Sequence, residues 1–173
     1  LIQWNNNSFN ANYGGIPKNV WLHVCGSVYQ TLPLYDNLGT TGIYVYASDF
    51  DIPARKAVIH AESQVKNESA SPQDIGYEVI LSDIDGKTLK TFQGEHRLSL
   101  KPGETGIIKA SSAIEGLHFW SWGYGYLYTV KTRLIINGKC ADEESIRTGF
   151  RQTRFADGKI WLNGRVLQMK GFA

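Results

Sequence analysis

Three sets of carboxylates and one run of aromatic rings are the parts of this sequence that could do chemistry. Asp49 and Asp51 share a face if their segment is extended, Asp83 and Asp85 flank a hairpin tip, and Asp142-Glu143-Glu144 form an acidic run. Two carboxylates doing acid–base work at a glycosidic bond must sit ~5 to 9 Å apart in a cleft that shifts one pKa. Carboxylates in turns and linkers are usually solvated, so none of the three sets is expected to be catalytic. Asp83-Ile84-Asp85-Gly86 has the start of a calcium loop but lacks the further oxygen ligands and the closing Glu, and reads as a hairpin turn. His23, His60, His96 and His118 show no helical pairing, and no Cys–His pair has zinc-site spacing. Cys25 and Cys140 read as two unpaired, partly buried thiols. There is no Gly-x-Ser-x-Gly elbow and no phosphate-binding glycine loop. Asn6-Asn7-Ser8 and Asn67-Glu68-Ser69 are glycosylation sequons short enough to arise by chance.

The aromatic run is Phe119-Trp120-Ser121-Trp122-Gly123-Tyr124-Gly125-Tyr126-Leu127-Tyr128. Aromatic rings flanked by Gly can stack on the CH-rich face of a sugar. Trp120, Trp122 and Tyr124 are the candidate residues for that. The alternative is interior packing at a domain junction, since each ring buries a large area. Alternation in the strand that follows favours packing.

The elements that must carry these groups are short strands. Lys56–Val65 places Ala57, Ile59, Ala61 and Val65 on one face and His60, Glu62 and Gln64 on the other. Tyr126–Ile136 alternates in the same way, with Tyr126, Tyr128, Val130 and Leu134 on one side and Leu127, Thr129, Lys131 and Arg133 on the other. Further strands are expected at Ile43–Ala47, Gly76–Ser82, Thr88–Phe92, Glu95–Leu100 and Thr105–Ser111, with turns at Asn67–Gln73, Asp83–Lys87 and Lys101–Glu104. Upstream, Asn5–Asn12 reads as a loop, Gly14–Lys18 as a turn, and Asn19–Val28 as a strand with Val20, Leu22 and Val24 on one face. Leu32–Thr41 reads as a linker. Asn137-Gly138, Asp157-Gly158 and Asn163-Gly164 supply the positive φ angles of tight hairpin turns. About seven short strands over a hundred residues, with no helical period, predict an all-β fold, an immunoglobulin-like antiparallel β-sandwich with flanking strand and hairpin segments.

The 173 residues suffice for one large or two small domains, with 42% apolar and 20% charged residues. A net charge of +2 without a basic stripe argues against a nucleic-acid partner. No apolar run approaches the ~20 residues that span a bilayer. The sequence opens inside a strand and closes on one, which suggests a piece of something larger.

Three segments, in order, resemble glycoside hydrolase family 2, the family of β-galactosidases, β-glucuronidases and β-mannosidases. Gly14-Gly15-Ile16-Pro17-Lys18-Asn19-Val20-Trp21-Leu22 resembles the close of the family's N-terminal jelly-roll domain. Trp120-Ser121 with Tyr126-Leu127-Tyr128-Thr129-Val130 resembles the entry to the last immunoglobulin-like strand. Gly149-Phe150-Arg151, Leu162-Asn163-Gly164 and Met169-Lys170-Gly171 resemble the passage into the catalytic (β/α)₈ barrel. Pro17-Lys18 departs from the usual aromatic residue and Arg, and Gly125 stands near the family's Pro.

The resemblance implies a jelly-roll remnant and linker over 1–36, the sandwich over 37–144, and a hairpin segment over 145–173 leading into a barrel. It implies that the family's catalytic glutamates lie on later barrel strands, so no residue here carries over as catalytic. The implied role is a non-catalytic domain that spaces and orients the barrel of a retaining, β-galactosidase-like exo-glycosidase. The alternative is a stand-alone carbohydrate-binding or adhesion module. No cofactor or metal is expected. The implied partners are a carbohydrate substrate and the adjacent jelly-roll and barrel domains, with neither nucleic acid nor membrane. A periplasmic or secreted parent fits. Leu1–Thr31 and Gly149–Ala173 are expected to fold back on the sandwich or pair with another copy, because exposed edges recruit strands.

Overall fold

The computed structural model describes residues 20, 22–32 and 39–168. Nine strands form two antiparallel sheets. The first sheet contains β1 (Val28–Gln30), β2 (Ile43–Asp51), β3 (Lys56–Asn67) and β7 (Thr105–Ile114). The second contains β4 (Gln73–Ser82), β5 (Thr88–Gln93), β6 (Leu98–Leu100), β8 (Tyr128–Ile136) and β9 (Lys139–Thr148). A separate three-stranded sheet follows, made of β10 (Thr153–Ala156), β11 (Lys159–Leu162) and β12 (Arg165–Leu167).

The period-2 pattern of the sequence becomes the core. Ala57, Ile59, Ala61 and Val65 of β3 face Tyr77, Val79 and Leu81 of β4 and Tyr128, Val130 and Leu134 of β8 in one buried cluster. Burying aliphatic side chains of this kind contributes roughly 1.5–3 kcal/mol each. The turns obey their dipeptides. Asn137, Asp157 and Asn163 take φ values of 49°, 53° and 48°, each followed by a glycine at positive φ. These turns close β8–β9, β10–β11 and β11–β12.

Several expected elements differ: the strand over Glu95–Leu100 keeps only Leu98–Leu100, because the chain first crosses between sheets at Gly94, and the one over Tyr126–Ile136 starts at Tyr128. The strand over Asn19–Val28 is confined to Val28–Gln30, which pairs with β3 at Val28↔Asn67. Leu22 and Val24 are 89% and 87% exposed, and among the described residues no strand pairs with them. Alternation alone holds no strand without a ladder partner for its amides. Conversely, β9 is a full strand where an acidic run was expected, and it continues through residue 144 to Thr148, past the limit placed on the sandwich. One of its acids is neutralised on the spot. Glu143 bonds Lys131 at 2.7 Å and Arg133 at 2.6 Å, and the Lys131 and then the Arg133 bond hold its carboxyl below the usual range.

The two sides of the sandwich differ. On one side the chain crosses between sheets at Gly94, whose N–H donates to the Tyr77 carbonyl at 2.7 Å while it bridges Ala110. A Cβ there would come within 3.0 Å of the Tyr77 Cβ. On the other side β2 and β9 are both edge strands, and shallow clefts open between them, lined by Ile43 and Ile146 at one point and by Val45 and Thr148 at another.

That open side is clasped near β1. The buried Gln30 side chain accepts hydrogen bonds from Ser63 Oγ (2.8 Å) and Thr132 Oγ1 (2.7 Å) and donates to the Asp142 carboxylate (3.2 Å). Its backbone N–H also donates to Asp142, at 2.8 Å. One side chain thus joins β3 to β8 and β9. The Tyr77 hydroxyl sits against the same Ser63 and Thr132 hydroxyls without completing a hydrogen bond, and burial pushes its pKa far up.

Asn67 heads one of the two sequons, yet its side chain is fully buried. It donates to the Ser71 and Leu100 carbonyls, both at 3.0 Å, so it organises the β3–β4 loop. The loop at Asn5–Asn12, the turn at Gly14–Lys18, the first sequon and Met169-Lys170-Gly171 lie outside the described residues.

Candidate functional site

The aromatic run folds as a graded stack at the end of the sandwich. Ser121 and Tyr124 exchange both backbone hydrogen bonds at 2.9 Å, with Gly123 at φ 79°, so Trp122 and Gly123 form a hairpin tip. Trp122 is consequently 70% exposed and Tyr124 48% exposed. Trp120 is half-buried. Inward from the tip, Tyr126 stacks on His118 at 4.7 Å, then tilts against Tyr128 at 4.9 Å, which meets Phe150 at 5.4 Å.

His118 links this stack to the loop before β3. Arg55 Nη2 donates to His118 Nε2 at 2.7 Å, and a guanidinium can only donate. Nδ1 therefore carries the proton and donates to the Tyr124 hydroxyl at 2.9 Å. The His118 backbone N–H donates to the Tyr128 hydroxyl at 2.6 Å. Burial, partly offset by this bond, pushes the Tyr128 pKa up to about 12. These groups lock a loop. They present neither a nucleophile with a base nor paired acids.

Behind the tip, three separated stretches meet at Trp120. Its N–H donates to the Phe150 carbonyl at 2.8 Å, and Arg151 lies 4.9 Å from its ring centroid. Asn163 Nδ2 donates to the Trp120 carbonyl at 2.9 Å. The Gln152 N–H donates to Asn163 Oδ1, and the Asn163 N–H donates to the Gln152 carbonyl, both at 2.9 Å. A single turn residue thus ties the β10–β12 sheet to the sandwich. Gly149 permits the contact, because a Cβ there would lie 2.9 Å from both the Trp120 Cβ and the Tyr126 carbonyl oxygen.

The carboxylate sets are accounted for separately. Asp83 accepts from the Asp85 and Lys87 amides, as a hairpin turn requires. Asp49 takes φ 49° at a bulge between Ser48 and Asp51, so that segment is not regularly extended and the shared face assumed for the pair fails. Asp51 instead accepts from the Ala54 amide at 3.0 Å. Asp142 belongs to the Gln30 clasp. His23 lies in irregular chain, not in a strand. Both cysteines are free and exposed rather than partly buried, Cys25 in irregular chain and Cys140 at the start of an edge strand. Among the described residues, no group of three or more His, Cys, Asp or Glu side chains is placed to hold a metal ion. The residues that sequence reasoning passed over are Gln30, Tyr46, Arg55 and Arg147. The first three act through partners 14 to 112 positions away, and no local pattern carries such pairings; Arg147 only lines the cleft between β2 and β9.

The family model "Glycosyl hydrolases family 2" matches residues 43–151, more than half of the chain. A beta-glucuronidase of Formosa agariphila is 30% identical over 172 residues, covering 99% of this chain and 17% of the relative. Beta-galactosidase BoGH2A of Bacteroides ovatus is 25% identical over 158 residues, covering 91% of this chain and 17% of the relative. Among solved structures, a beta-glucuronidase from glycoside hydrolase family 2 superposes with a TM-score of 0.72 at 28% identity, covering 82% of this chain and 14% of that one. The chain therefore spans about a sixth of the length of the curated relatives it matches. Trp120, Gly149-Phe150-Arg151 and Asn163, which converge in space, are among the residues that carried the family resemblance in sequence, and the chain belongs to the glycosyl hydrolases of family 2.

Proposed function

We propose that this chain is the non-catalytic β-sandwich portion of a larger retaining β-glycosidase, and that it orients the catalytic part through the Asn163 turn. The observation that carries the reading is the convergence of three chain segments on Trp120, clamped by the Asn163 side chain. Rigid positioning matters because a misplacement of ~1 Å at a reacting centre costs on the order of 100-fold in rate. The proposed division is a jelly-roll remnant and linker over 1–36, the sandwich to Thr148 at the end of β9, and the hairpin sheet as the link to a barrel. The substrate class is a β-linked galactoside or glucuronide, the two activities named for the relatives.

The test compares this chain with the full-length polypeptide on aryl β-galactosides and β-glucuronides. The chain alone gives no turnover and the full-length protein does. Hydrolysis by the chain alone overturns the reading. A second reading, a carbohydrate-binding module, has one observation in its favour, the 70% exposure of Trp122 at the hairpin tip. Saturable glycan binding that is lost in Trp122→Ala, with the fold intact, would favour it.

A further inference from the structure

The two edges of the open side are built differently. On β2 the ladder breaks at the bulge between Ser48 and Asp51, where Asp49 takes φ 49°. Bulges of this kind blunt an edge against pairing with another chain. The far part of β9 has no such device. Its ladder with β8 runs without a break from Leu134↔Asp142 to Tyr128↔Thr148. Among the described residues, no strand and no backbone hydrogen bond reaches its other edge. The upstream chain closes in just before that stretch, where a Cβ at Gly26 would lie 3.8 Å from the Ala141 carbonyl oxygen. From Asp142 onward the edge presents a row of unpaired N–H and C=O groups.

The side chains along this edge are complementary to themselves. Glu143, Ser145 and Arg147 stand exposed on the outer face, opposite Arg133, Lys131 and Thr129 of β8. Glu143 is bonded to Lys131 and Arg133, whereas Arg147 forms no ion pair among the described residues. The acid and the base lie two residues to either side of Ser145. Turning the strand about a two-fold axis through Ser145, perpendicular to the sheet, therefore sets Arg147 against the partner's Glu143 and Glu143 against the partner's Arg147. A carboxylate has lone pairs for a further donor. Registers centred on Glu143 or Glu144 instead lay the acidic run Asp142-Glu143-Glu144 against itself, and like charges directly opposite are destabilising.

We propose that β9 is the contact of a homodimer, in which two copies pair edge to edge and antiparallel about Ser145. Such an interface is isologous, and it joins two five-stranded sheets into one continuous sheet. A second copy fits better than a foreign strand because the charge pattern of β9 matches its own reverse. The inference goes beyond the domain-orienting role, and it is read from assembly without turnover.

The test is sedimentation velocity of the chain over a range of concentrations. A strand-edge contact is small, so the wild type passes from monomer to dimer at ~10–100 µM. Arg147→Ala weakens association about 2- to 30-fold, since two charge pairs are lost. Arg147→Glu and Glu143→Arg each set like charges opposite one another and leave the chain monomeric. An equimolar mixture of those two variants recovers the dimer, because both pairs are then acid against base. Hydrogen exchange of the β9 amides slows as the wild type and the mixture assemble. Circular dichroism of each variant establishes that it is folded. A wild-type chain that stays monomeric up to ~1 mM, a folded Arg147→Glu chain that dimerises like the wild type, or a mixture of the two folded variants that stays monomeric overturns the proposal.

Discussion

Replacing Gln30 by Met keeps the side-chain volume and strips away its hydrogen bonding. Two fully buried hydroxyls, Ser63 and Thr132, then lose their acceptor, and Asp142 loses one of its two donors from Gln30. A buried donor left unsatisfied costs about 1–3 kcal/mol, so two of them sum to about 2–6 kcal/mol. Domains of this size hold about 5–15 kcal/mol in all, and about 1 kcal/mol moves the melting temperature by about 2–4 °C. The expected fall is therefore about 4–24 °C, read by calorimetry or by circular dichroism at the strand minimum. The triple variant Gln30→Leu/Ser63→Ala/Thr132→Val removes the two hydroxyls that the single change orphans, along with the amide. It should regain most of the loss, because deleting both partners is far milder than deleting one. If Gln30→Met melts within a degree or two of the wild type, or the triple is no better than the single, the clasp does not hold the two sheets.

The Trp120 junction makes two further predictions. Gly149→Ala drives a methyl group to 2.9 Å from the Trp120 Cβ and the Tyr126 carbonyl oxygen, and should cost about 1–3 kcal/mol, with a shift in tryptophan emission as Trp120 moves. Wild-type stability and emission would refute that. Asn163→Gly preserves the positive φ and removes only the side-chain bonds, for a loss of about 1–2 kcal/mol, whereas Asn163→Ala adds backbone strain and should fall further by calorimetry. Tyr128 predicts the alkaline limb. Its pKa rises from an ordinary value of about 10 to about 12 in the folded state. The neutral hydroxyl thus contributes stability that is fully present below pH ~10 and is lost as pH climbs to about 12. Tyr128→Phe should flatten the stability profile between those values, and an unchanged slope would count against the assignment.

Much of the fold was legible because it rests on local rules. Ala57 to Val65 and Tyr128 to Leu134 alternate because one face packs on the other sheet, and Asn137, Asp157 and Asn163 mark turns because few residues accept their φ angles. The failures have physical causes as well. Val20, Leu22 and Val24 alternate like a strand, but pairing needs a neighbour, which the sequence does not display. Asp142-Glu143-Glu144 reads as solvated chain, yet at a sheet edge such charges cost little, Lys131 and Arg133 on β8 answer Glu143, and Gln30 donates to Asp142. The junction was half visible. The Asn163 turn was readable from its dipeptide, but the reach of its amide to a carbonyl 43 positions earlier was not.

The same amide ages. Asparagine followed by glycine is the dipeptide in which the backbone nitrogen most readily attacks the side chain, releasing ammonia and leaving an aspartate or isoaspartate. At Asn163-Gly164 that change replaces an N–H donor by a carboxylate oxygen facing the Trp120 carbonyl, so attraction becomes repulsion. Asn137-Gly138 has the same dipeptide at an exposed turn whose side chain serves no comparable bond, and its deamidation leaves the fold as it was. Storage therefore acts unevenly on this molecule. One succinimide is silent, and the other loosens the β10–β12 sheet from the sandwich, so the shelf life of the junction is set by a single side chain.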